Sequence, residues 1–341
     1  MIGDFGRHAG RERIERVSSR RLDAWCTGLT VLGGTLAALS LVDGGNLIAQ
    51  IQAGAPVLAM LGLVLTGALL LRRRWIRAGV ALVSSLVLLV PAITLPGDPP
   101  APGGDTLSVL AFNTYVGQGD PDALMAEVRA REVDVLVLPE MTAAYWQSLV
   151  DRGIRDLLPH ATGRTGGGRG MVVATREEST CVALPTGMTC GEVVIDESSE
   201  PYVLNRAGDP TFDQVVVRLP DGTLVKGVHL WSPRLSPGVR WREQQAEMAQ
   251  WIADQQGEEL LVLAGDFNAG RSHPAFREYS AGFDDSPRGA FPWTRTWPKW
   301  GPIGPLTQID HVLARGRRAA ESTTLRIPGS DHDAVWSLLT R

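Results

Sequence analysis

Side chains that can bind a cation or move a proton follow short apolar runs at several points in this sequence. In LAGDFNAG, residues 263–270, Asp266 and Asn268 come directly after an apolar run, with glycines on both sides. Two oxygen-bearing side chains placed in this way suit a hard cation or a polarised water. They equally suit an Asx-turn that only closes a loop. Taken alone, the stretch leaves both interpretations open.

The same arrangement recurs along the chain, which favours a site over scattered turns. Further residues of this kind stand at or near the ends of apolar runs: Asn113 in LSVLAFN, Glu140 in VLVLPE, His229 in LVKGVHL, Asp310 and His311 in QIDHVL, and Asp331 and His332 in GSDHDAV. Loops at one edge of a sheet scaffold can converge on a shared cleft. We therefore expect these side chains to gather in one pocket.

The elements that must position them are short strands with a few helices between them. Apolar periodicity predicts strands at 107–113, 133–139, 170–175, 214–219, 223–230, 260–265, 309–315 and 333–339. It predicts helices at 121–131, 142–151 and 238–256. Strands and helices mixed in this order favour layered sheets with helices outside.

The ordered motifs FN, PE, GVH, GDFN, IDH and SDH resemble the endonuclease/exonuclease/phosphatase superfamily, the deoxyribonuclease I-like phosphoesterases. The resemblance covers about residues 106–341. It implies a four-layer α-β-β-α sandwich of two packed mixed β-sheets. It also implies hydrolysis of phosphodiesters or phosphomonoesters with a divalent metal, Mg²⁺ or Mn²⁺.

The resemblance implies a role for each matching residue. Three of them are implied metal-site residues: Glu140 as the principal ligand, Asn113 beside it, and Asp331 as a metal-associated carboxylate. Five are implied catalytic residues: Asp266 and Asn268, which orient the attacking water and the phosphate, His229 and His332, which contact the phosphate, and Asp310, which orients a catalytic histidine. His311 stays open between a substrate contact and a structural role. Pro139 stands where many relatives have glutamine, and a second metal-proximal acid has no clear match, so a one-metal site is expected.

Physical chemistry supports these roles independently. Phosphoryl transfer needs an in-line nucleophile and positive charge near the equatorial oxygens. Mg²⁺ retains several waters, so one or two carboxylates plus the substrate phosphate suffice to hold it. An imidazole beside an acid such as Asp310 supplies a proton donor and a dependable cation. The acidic set can therefore bind a phosphate dianion if the metal binds with it.

Two other segments offer possible substrate contacts. Arg169 lies in GRTGGGRGM, residues 163–171, which we expect to be a mobile glycine-rich loop in solvent and which lacks the form of a P-loop. Trp297 lies in FPWTRTWPKWGP, residues 291–302. Tryptophans there can be core, can stack on a base, or can rest at the lipid headgroup level. His160 and His273 are expected to be ordinary loop residues.

The chain begins with a segment that predicts a membrane anchor. After a basic N-terminus, residues 1–24, three uncharged stretches at 25–42, 53–71 and 78–95 approach the length of about 20 residues that spans a bilayer. Arginines precede the first stretch and fill RRRWIR between the second and third, which predicts that both lie in the cytoplasm. Residues 96–105 then form a Pro/Gly linker, expected to hold the domain at 106–341 a short distance off the membrane, outside the cell.

Cysteine usage and charge agree with an exported domain. Cys181 and Cys190 lie nine positions apart, and in an oxidising compartment we expect them to form a disulfide. Residues 1–96 carry ten Arg and Lys against five Asp and Glu, which leaves 23 against 32 for the rest, a net charge of −9. Proteins that grip long nucleic acid usually present a basic face, so tight duplex binding is disfavoured. Arginine in place of lysine is typical of a GC-rich bacterial genome.

These observations predict a membrane-anchored, extracytoplasmic phosphoester hydrolase of the phosphodiesterase type. Its substrate is a phosphoester on a small molecule, a lipid headgroup or a nucleic acid, and its helices contact the lipid bilayer. An exported nuclease on DNA or RNA, or a phosphodiesterase of the phospholipid or sphingomyelin type, stays open. An alternative from a different class is a catalytically inactive membrane interaction module on the same scaffold.

Overall fold

A computed structural model of the chain describes residues 5–93, 99–101, 103–197, 212–233, 240–287, 293–299 and 304–341, with side chains described from Arg21 onward. The strands are β1 Thr106–Ala111, β2 Val135–Pro139, β3 His160–Arg164, β4 Met171–Thr175, β5 Thr180–Ala183, β6 Val193–Val194, β7 Val216–Arg218, β8 Leu224–His229, β9 Leu261–Asp266, β10 Asp284–Ser286, β11 Asp310–Arg315, β12 Arg318–Leu325 and β13 Ala334–Thr340. The α-helices are α1 Phe5–Ser40, α2 Asn46–Ala53, α3 Ala55–Leu71, α4 Trp75–Leu89, α5 Pro121–Ala130, α6 Ala143–Asp151, α7 Ile154–Leu157, α8 Arg240–Asp254 and α9 Pro274–Tyr279.

The strands form two mixed sheets that pack face to face. One sheet has the order β12-β13-β1-β2-β4-β3-β6, and the other has the order β10-β11-β9-β8-β7-β5. Alternating residues of each strand point to opposite faces of its sheet. In β1 and β2, Val109 and Val137 contact the second sheet, whereas Leu110 and Leu136 contact the helices outside.

Three hydrophobic clusters give the layers their order. Between the sheets lies a cluster of small and β-branched side chains, including Val173, Val225 and Val262. Trp146 and Leu149 of α6 cover the outer face of the first sheet. Met248 of α8 and neighbouring helical residues cover the outer face of the second sheet. The predicted sandwich of two mixed sheets with helices outside is confirmed.

Each predicted strand and helix of residues 106–341 overlaps an element of the structure. The strands that the sequence did not predict, β3, β5, β6, β10 and β12, are short or carry polar side chains that do not alternate with apolar ones. β12, for example, reads RAAESTTL, and its side chains are mostly half-exposed at the end of the first sheet. An edge strand of this kind gains its conformation from its neighbour, which here is β13.

The glycine-rich segment 163–171 is not a loop in solvent, so that prediction was wrong. Gly163 belongs to β3, a 3₁₀ turn spans Gly167–Arg169, and Met171 begins β4. Gly167 and Gly168 are buried. A Cβ on Gly163 would lie 2.1 Å from the carbonyl oxygen of Met171, so glycine allows the backbones of β3 and β4 to approach here.

Cys181 of β5 and Cys190 are joined by a disulfide across nine positions of the chain. Cys181 pairs with Val217 of β7, so the bond attaches the following loop to the edge of the second sheet. Cys26 is a buried free cysteine in α1.

The N-terminal helices match the apolar stretches of the sequence. Within the described residues, two helical segments are long and apolar enough to cross a membrane, Arg21–Ser40 and Trp75–Ala92. The pair α2 and α3, bent by 61°, makes a third if it is one broken span. Gly54 lies at this bend and Pro56 follows it in the first turn of α3, which are common causes of a helix break.

The connection at 43–52, between the first two predicted spans, contains α2, and α2 packs on the domain that follows. Ala49 is fully buried in the same cluster as Trp241 and Phe276. The imidazole Nε2 of His273 lies 3.0 Å from the carbonyl oxygen of Ala49. The description of His273 as an ordinary loop residue was therefore wrong, whereas the expected distance between the domain and the membrane stays a prediction. Residues 94–98 and 102 of that region lie outside the described residues.

Replacing Gly265 of β9 with alanine should lower the free energy of unfolding by at least about 2 kcal/mol. The Gly265 φ is +137°, and a Cβ there would lie 2.1 Å from the carbonyl oxygen of Val228 in β8. Gly257→Ala is the matched control, because nothing lies within 4 Å of a Cβ at that position. Denaturant midpoints of the full-length variants measure the effect, and equal midpoints would contradict this account of β9.

Candidate functional site

The strand directions bring the predicted site residues to one edge of the two sheets. β1 and β2 are parallel, as are β8 and β9, so both pairs end at this edge. β13 runs antiparallel to β1, and β11 runs antiparallel to β9, so these strands begin there. Asp266 is paired with His229 on one side and with Asp310 on the other.

Asn113 connects the two sheets through hydrogen bonds to two carboxylates. Its side-chain amide nitrogen lies 3.1 Å from Oε1 of Glu140 and 3.1 Å from Oδ2 of Asp266. Its Oδ1 accepts the backbone N–H of Tyr115 at 3.0 Å. The resemblance implied an amide beside the metal, and the structure uses that amide to hold Glu140 and Asp266 together.

Glu140 adopts a backbone conformation that is unusual for a residue with a side chain. Its φ is +58°, directly after the end of β2. The Thr114 hydroxyl donates to the Glu140 carbonyl oxygen at 2.7 Å, and the Val116 backbone N–H donates to Oε2 at 3.1 Å. A left-handed conformation in a non-glycine residue costs free energy and persists only where its surroundings hold it. These contacts therefore hold the carboxylate in the cleft.

Asn268 supports Asp266 through an Asx-turn, which is one of the two interpretations of GDFN. The Asn268 backbone N–H donates to Oδ1 of Asp266 at 2.8 Å, and the Asn268 φ is +46°. Its side-chain amide donates to the carbonyl oxygen of Leu230 at 2.8 Å and lies 3.3 Å from Oδ2 of Asp266. The turn fixes the position of a carboxylate that is 2% exposed.

Asp310 and His332 form a buried acid–imidazole pair. His332 Nδ1 lies 3.0 Å from Oδ1 and 2.9 Å from Oδ2 of Asp310. His332 Nε2 points to the other acids, 3.9 Å from Asp266 Oδ2 and 3.7 Å from Asp331 Oδ1. Ser330 anchors this loop, since its hydroxyl donates to the Asn113 carbonyl oxygen and accepts the His332 backbone N–H.

His229 faces the same carboxylates from the end of β8. Its Nε2 lies 3.7 Å from Glu140 Oε1 and 4.0 Å from Asp266 Oδ2. The ring of Phe212 stacks on the imidazole, with centroids 4.1 Å apart and an interplanar angle of 8°. Among the described residues, no hydrogen-bond partner reaches the buried Nδ1.

Burial and charge give the two histidines opposite protonation states. Burial and, after it, the positive charge of His332 together lower the pKa of His229 to about 3, so His229 is neutral. Burial alone would lower the pKa of His332, but the ion pair and hydrogen bond with Asp310 raise it to about 10. The cleft therefore holds one neutral hydrogen-bonding imidazole and one imidazolium.

The carboxylates are crowded, and the crowding opposes their ionisation. Burial raises the pKa of Glu140 to about 7 against the opposing effect of His332. Burial, followed by the negative charge of Asp310, raises the pKa of Asp266 well above its ordinary value. Four carboxylates share the cleft with one imidazolium, so ionising all of them calls for additional positive charge.

The chemistry of this set fits a divalent cation. One ligand atom from each of Asp266, Asp310 and His332 lies within 4.8 Å of the others. However, both Asp310 oxygens contact His332 Nδ1, and an imidazolium cannot ligate a metal. Glu140 is consequently the residue best placed to hold a cation, because Asn113 and the Val116 backbone N–H keep its carboxylate in the cleft beside Asp266.

Asp331 lies at the rim of the site and is held by Trp297. The indole Nε1 of Trp297 donates to Asp331 Oδ2 at 3.0 Å. Asp331 Oδ1 is buried and accepts no hydrogen bond from the described residues. Trp297 was predicted as a possible substrate contact, and the structure places its ring 6.4 Å from that of His332. Trp300 of the same segment lies outside the described residues.

Of the other two possible substrate contacts, His311 lies away from the cleft, whereas the Arg169 carbonyl oxygen accepts the backbone N–H of Asp213, which follows Phe212. His311 follows Asp310 along β11 and points to the opposite face, where it is fully buried. Its Nδ1 lies 2.8 Å from Asp285 Oδ1, and its Nε2 lies 3.1 Å from the Ala269 carbonyl oxygen, so its role is structural. Burial raises the pKa of Asp213, and the positive charge of Arg169 opposes that rise.

Sequence reasoning missed three residues that build the site. Ser330 stands directly before the Asp331–His332 pair, where a serine that caps a turn could have been recognised. Thr114 follows Asn113 and holds the backbone of Glu140. Phe212 has no signal in the sequence, because its stacking on His229 depends on the fold alone.

Comparison with known proteins identifies solved structures that are similar to this chain and one family whose sequence model matches it. Solved structures similar to this chain include D. rerio TDP2 complexed with a single-strand DNA product, at 14% identity over 70% of this chain and 100% of that chain, with a TM-score of 0.52. Truncated Caenorhabditis elegans TDP2 has 16% identity over 70% and 99%, with a TM-score of 0.48. An endonuclease/exonuclease/phosphatase family protein from Bacteroides thetaiotaomicron has 14% identity over 69% and 97%, with a TM-score of 0.45. No curated protein matches the sequence.

At these identities the likeness to solved structures shows the fold alone. The sequence model of one family adds to it, since it matches residues 110–332, from the end of β1 to the catalytic histidine candidate His332. That match covers more than half of the chain and includes each of the clustered residues. The chain belongs to the endonuclease/exonuclease/phosphatase family.

Proposed function

We propose that this protein is a membrane-anchored, outward-facing phosphoesterase that depends on a divalent metal. Members of its family are metal-dependent phosphoester hydrolases. The observation that carries the proposal is the contact of Asn113 with both Glu140 and Asp266, beside the Asp310–His332 pair. Residues from five separated segments meet in one cleft, and their chemistry matches in-line attack of water on phosphorus.

Each residue has a definite task in that reaction. Asp266 accepts the proton of the attacking water, because Asn268 and Asn113 hold its two oxygens in place. His332, kept cationic by Asp310, donates its Nε2–H to the phosphoryl group and to the departing oxygen. Neutral His229 donates a hydrogen bond to an equatorial oxygen from the other side of Asp266. A positive charge and hydrogen-bond donors that are in position before the reaction lower its energy barrier most where water is excluded.

Glu140 would hold the metal with Asp331 at the rim, and Asp266, which Asn113 joins to Glu140, stays free to accept the proton of the water. A bound Mg²⁺ or Mn²⁺ offsets the negative charge that develops on the phosphoryl oxygens and permits the cleft to accept an anion. The donors are oxygens, which Mg²⁺ and Mn²⁺ prefer. Asn113 acts by positioning the two carboxylates.

The contacts of the N-terminal helices support the outward orientation. With the arginine-rich segments inside, the connection between the first two spans, residues 43–52, lies on the same side of the membrane as the domain at 106–341. That connection is where the domain contacts the anchor, through Ala49 with His273 and Asp43 with Arg242. At the opposite end of the helices, Arg74 and Arg77 pair with Asp23. A disulfide between Cys181 and Cys190 also suits an oxidising compartment.

Asp266→Asn and His332→Ala should each lower the rate of hydrolysis of a generic phosphodiester by at least about 100-fold, because each removes a proton-transfer group. His160→Ala is the control, since His160 belongs to β3 and touches none of the clustered residues. The measurement is kcat with Mg²⁺ or Mn²⁺ and matched protein concentrations. Full activity in both site variants would contradict the proposed function.

Glu140→Gln should weaken binding of Mn²⁺ by at least about tenfold, because a neutral amide replaces the principal carboxylate. Glu177→Gln is the matched control, since Glu177 is exposed and remote from the cleft. Calorimetric titration of the full chain measures the affinity without any substrate. An absence of saturable binding in the wild type would favour the inactive interaction module.

Protease added to intact cells should digest the domain after residue 105 and leave an N-terminal epitope protected. Inside-out membrane vesicles should give the reverse pattern, because the arginine-rich segments lie in the cytoplasm. Immunoblotting with N-terminal and C-terminal epitopes distinguishes the fragments. Digestion of the N-terminal epitope in intact cells, with the domain protected, would show the opposite topology.

A further inference from the structure

An apolar cavity lies between the anchor helices and the catalytic cleft. Its volume is about 510 Å³, within the range of small-molecule sites. On the anchor side the lining includes Ile51 of α2 and Val57 and Leu58 of α3. On the domain side it includes Leu306 and Ile309.

The cavity borders the site, because two of its lining residues also form hydrogen bonds with the site's carboxylates. Asn268 lines the cavity and holds Asp266 with its backbone N–H. Trp297 lines the cavity and donates its indole N–H to Asp331. A molecule with a phosphate at Asp266 can therefore extend directly into apolar surroundings.

The anchor side of the cavity is held in place by packing on both of its flanks. On one flank, Ala49 of α2 is buried against the domain. On the other, Trp293 packs with Ala55 and Ala59 of α3. Other faces of α3 carry exposed apolar residues such as Leu61 and Val64. The cavity thus lies where a lipid-facing helix meets the catalytic domain.

Resting on the proposed function, we propose that the substrate is an amphiphile: a phosphate ester with a long alkyl chain. The phosphate is bound by the clustered acids and histidines together with the metal, and the chain enters the cavity between α2–α3 and Trp297. Burial of each methylene in an apolar site contributes about 0.8 kcal/mol, or about a fourfold change in affinity. Chain length should therefore govern binding, and the anchor helices form part of the substrate site.

A series of alkyl 4-nitrophenyl phosphate diesters tests this in full-length protein in lipid nanodiscs. From methyl to octyl, KM should fall by at least about 100-fold in the wild type. Val57→Trp and Leu306→Trp fill the cavity from opposite walls, and each should remove most of this chain dependence while methyl ester hydrolysis persists.

Val64→Trp is the matched control, because Val64 is 72% exposed on the same helix and does not line the cavity. It preserves partitioning of the ester into the nanodisc, so it should keep the wild-type chain dependence. Equal chain dependence in all four proteins would mean that the bilayer alone selects long chains, and would overturn the proposal.

A binding measurement tests the alkyl-chain site separately from the proposed hydrolytic function. Octyl phosphate and butyl phosphate are titrated calorimetrically into the Asp266→Asn protein with Mn²⁺ present. The octyl compound should bind at least about tenfold more tightly, and Val57→Trp should abolish the difference. Equal affinities would contradict the chain site even if diesters are hydrolysed. Chain-dependent binding without hydrolysis by the wild type would instead contradict the proposed function.

Discussion

Mutual repulsion among buried carboxylates is the constraint on which this site depends. Glu140 and Asp266 are buried beside Asp310 and Asp331, and burial together with the neighbouring negative charge opposes the ionisation of Glu140 and Asp266. Hydrogen bonds from Asn113 and the positive charge of the His332 imidazolium partly offset this effect. Burial nevertheless raises the pKa of Glu140 and Asp266. A cation that binds here displaces protons, so its affinity is coupled to their release.

The two sheets make this crowding possible because each contributes strands that end at the same edge. Asn113 and Glu140 follow strands of the first sheet, whereas His229 and Asp266 end strands of the second. The hydrogen bonds of Asn113 therefore cross from one sheet to the other. Left-handed backbone at Glu140 and Asn268 turns the chain where it leaves the strands. The interior of the sandwich supplies the rigidity that holds these conformations.

Much of the fold and of the site was predictable from the sequence, because both depend on the order of apolar and polar residues along the chain. Apolar runs predicted the inner strands. The polar residue after each run predicted the members of the site, because the ends of these strands converge at one edge. Asp310 and His332 were recognisable as members of a motif set. The sequence could not assign His311, because only the face of β11 that it occupies decides its role.

The unpredicted features are those that depend on tertiary contact. β10, with sequence DDS, is a strand because it pairs with β11, and Asp285 within it is buried beside His311. Glycines at 163–171 indicated a mobile loop, yet they permit close packing of β3 and β4. Nothing in residues 43–53 indicated that α2 would dock on the domain that begins at residue 106. Contacts of this kind leave no periodicity in a single sequence.

The docking of α2 connects the anchor to the catalytic loop through one side chain. Burial lowers the pKa of His273 to about 4, so its imidazole is neutral at ordinary pH. Its Nδ1 accepts the Gly270 backbone N–H at 3.0 Å, which leaves Nε2–H to donate to the Ala49 carbonyl oxygen. Gly270 ends the GDFNAG segment that carries Asp266 and Asn268. The GDFNAG loop is thus fixed to α2 as well as to the sheet. Under the proposed function, this docking keeps Asp266 next to the helices that are proposed to lie in the membrane, so a phosphate ester with an alkyl chain would reach it along α2 and α3.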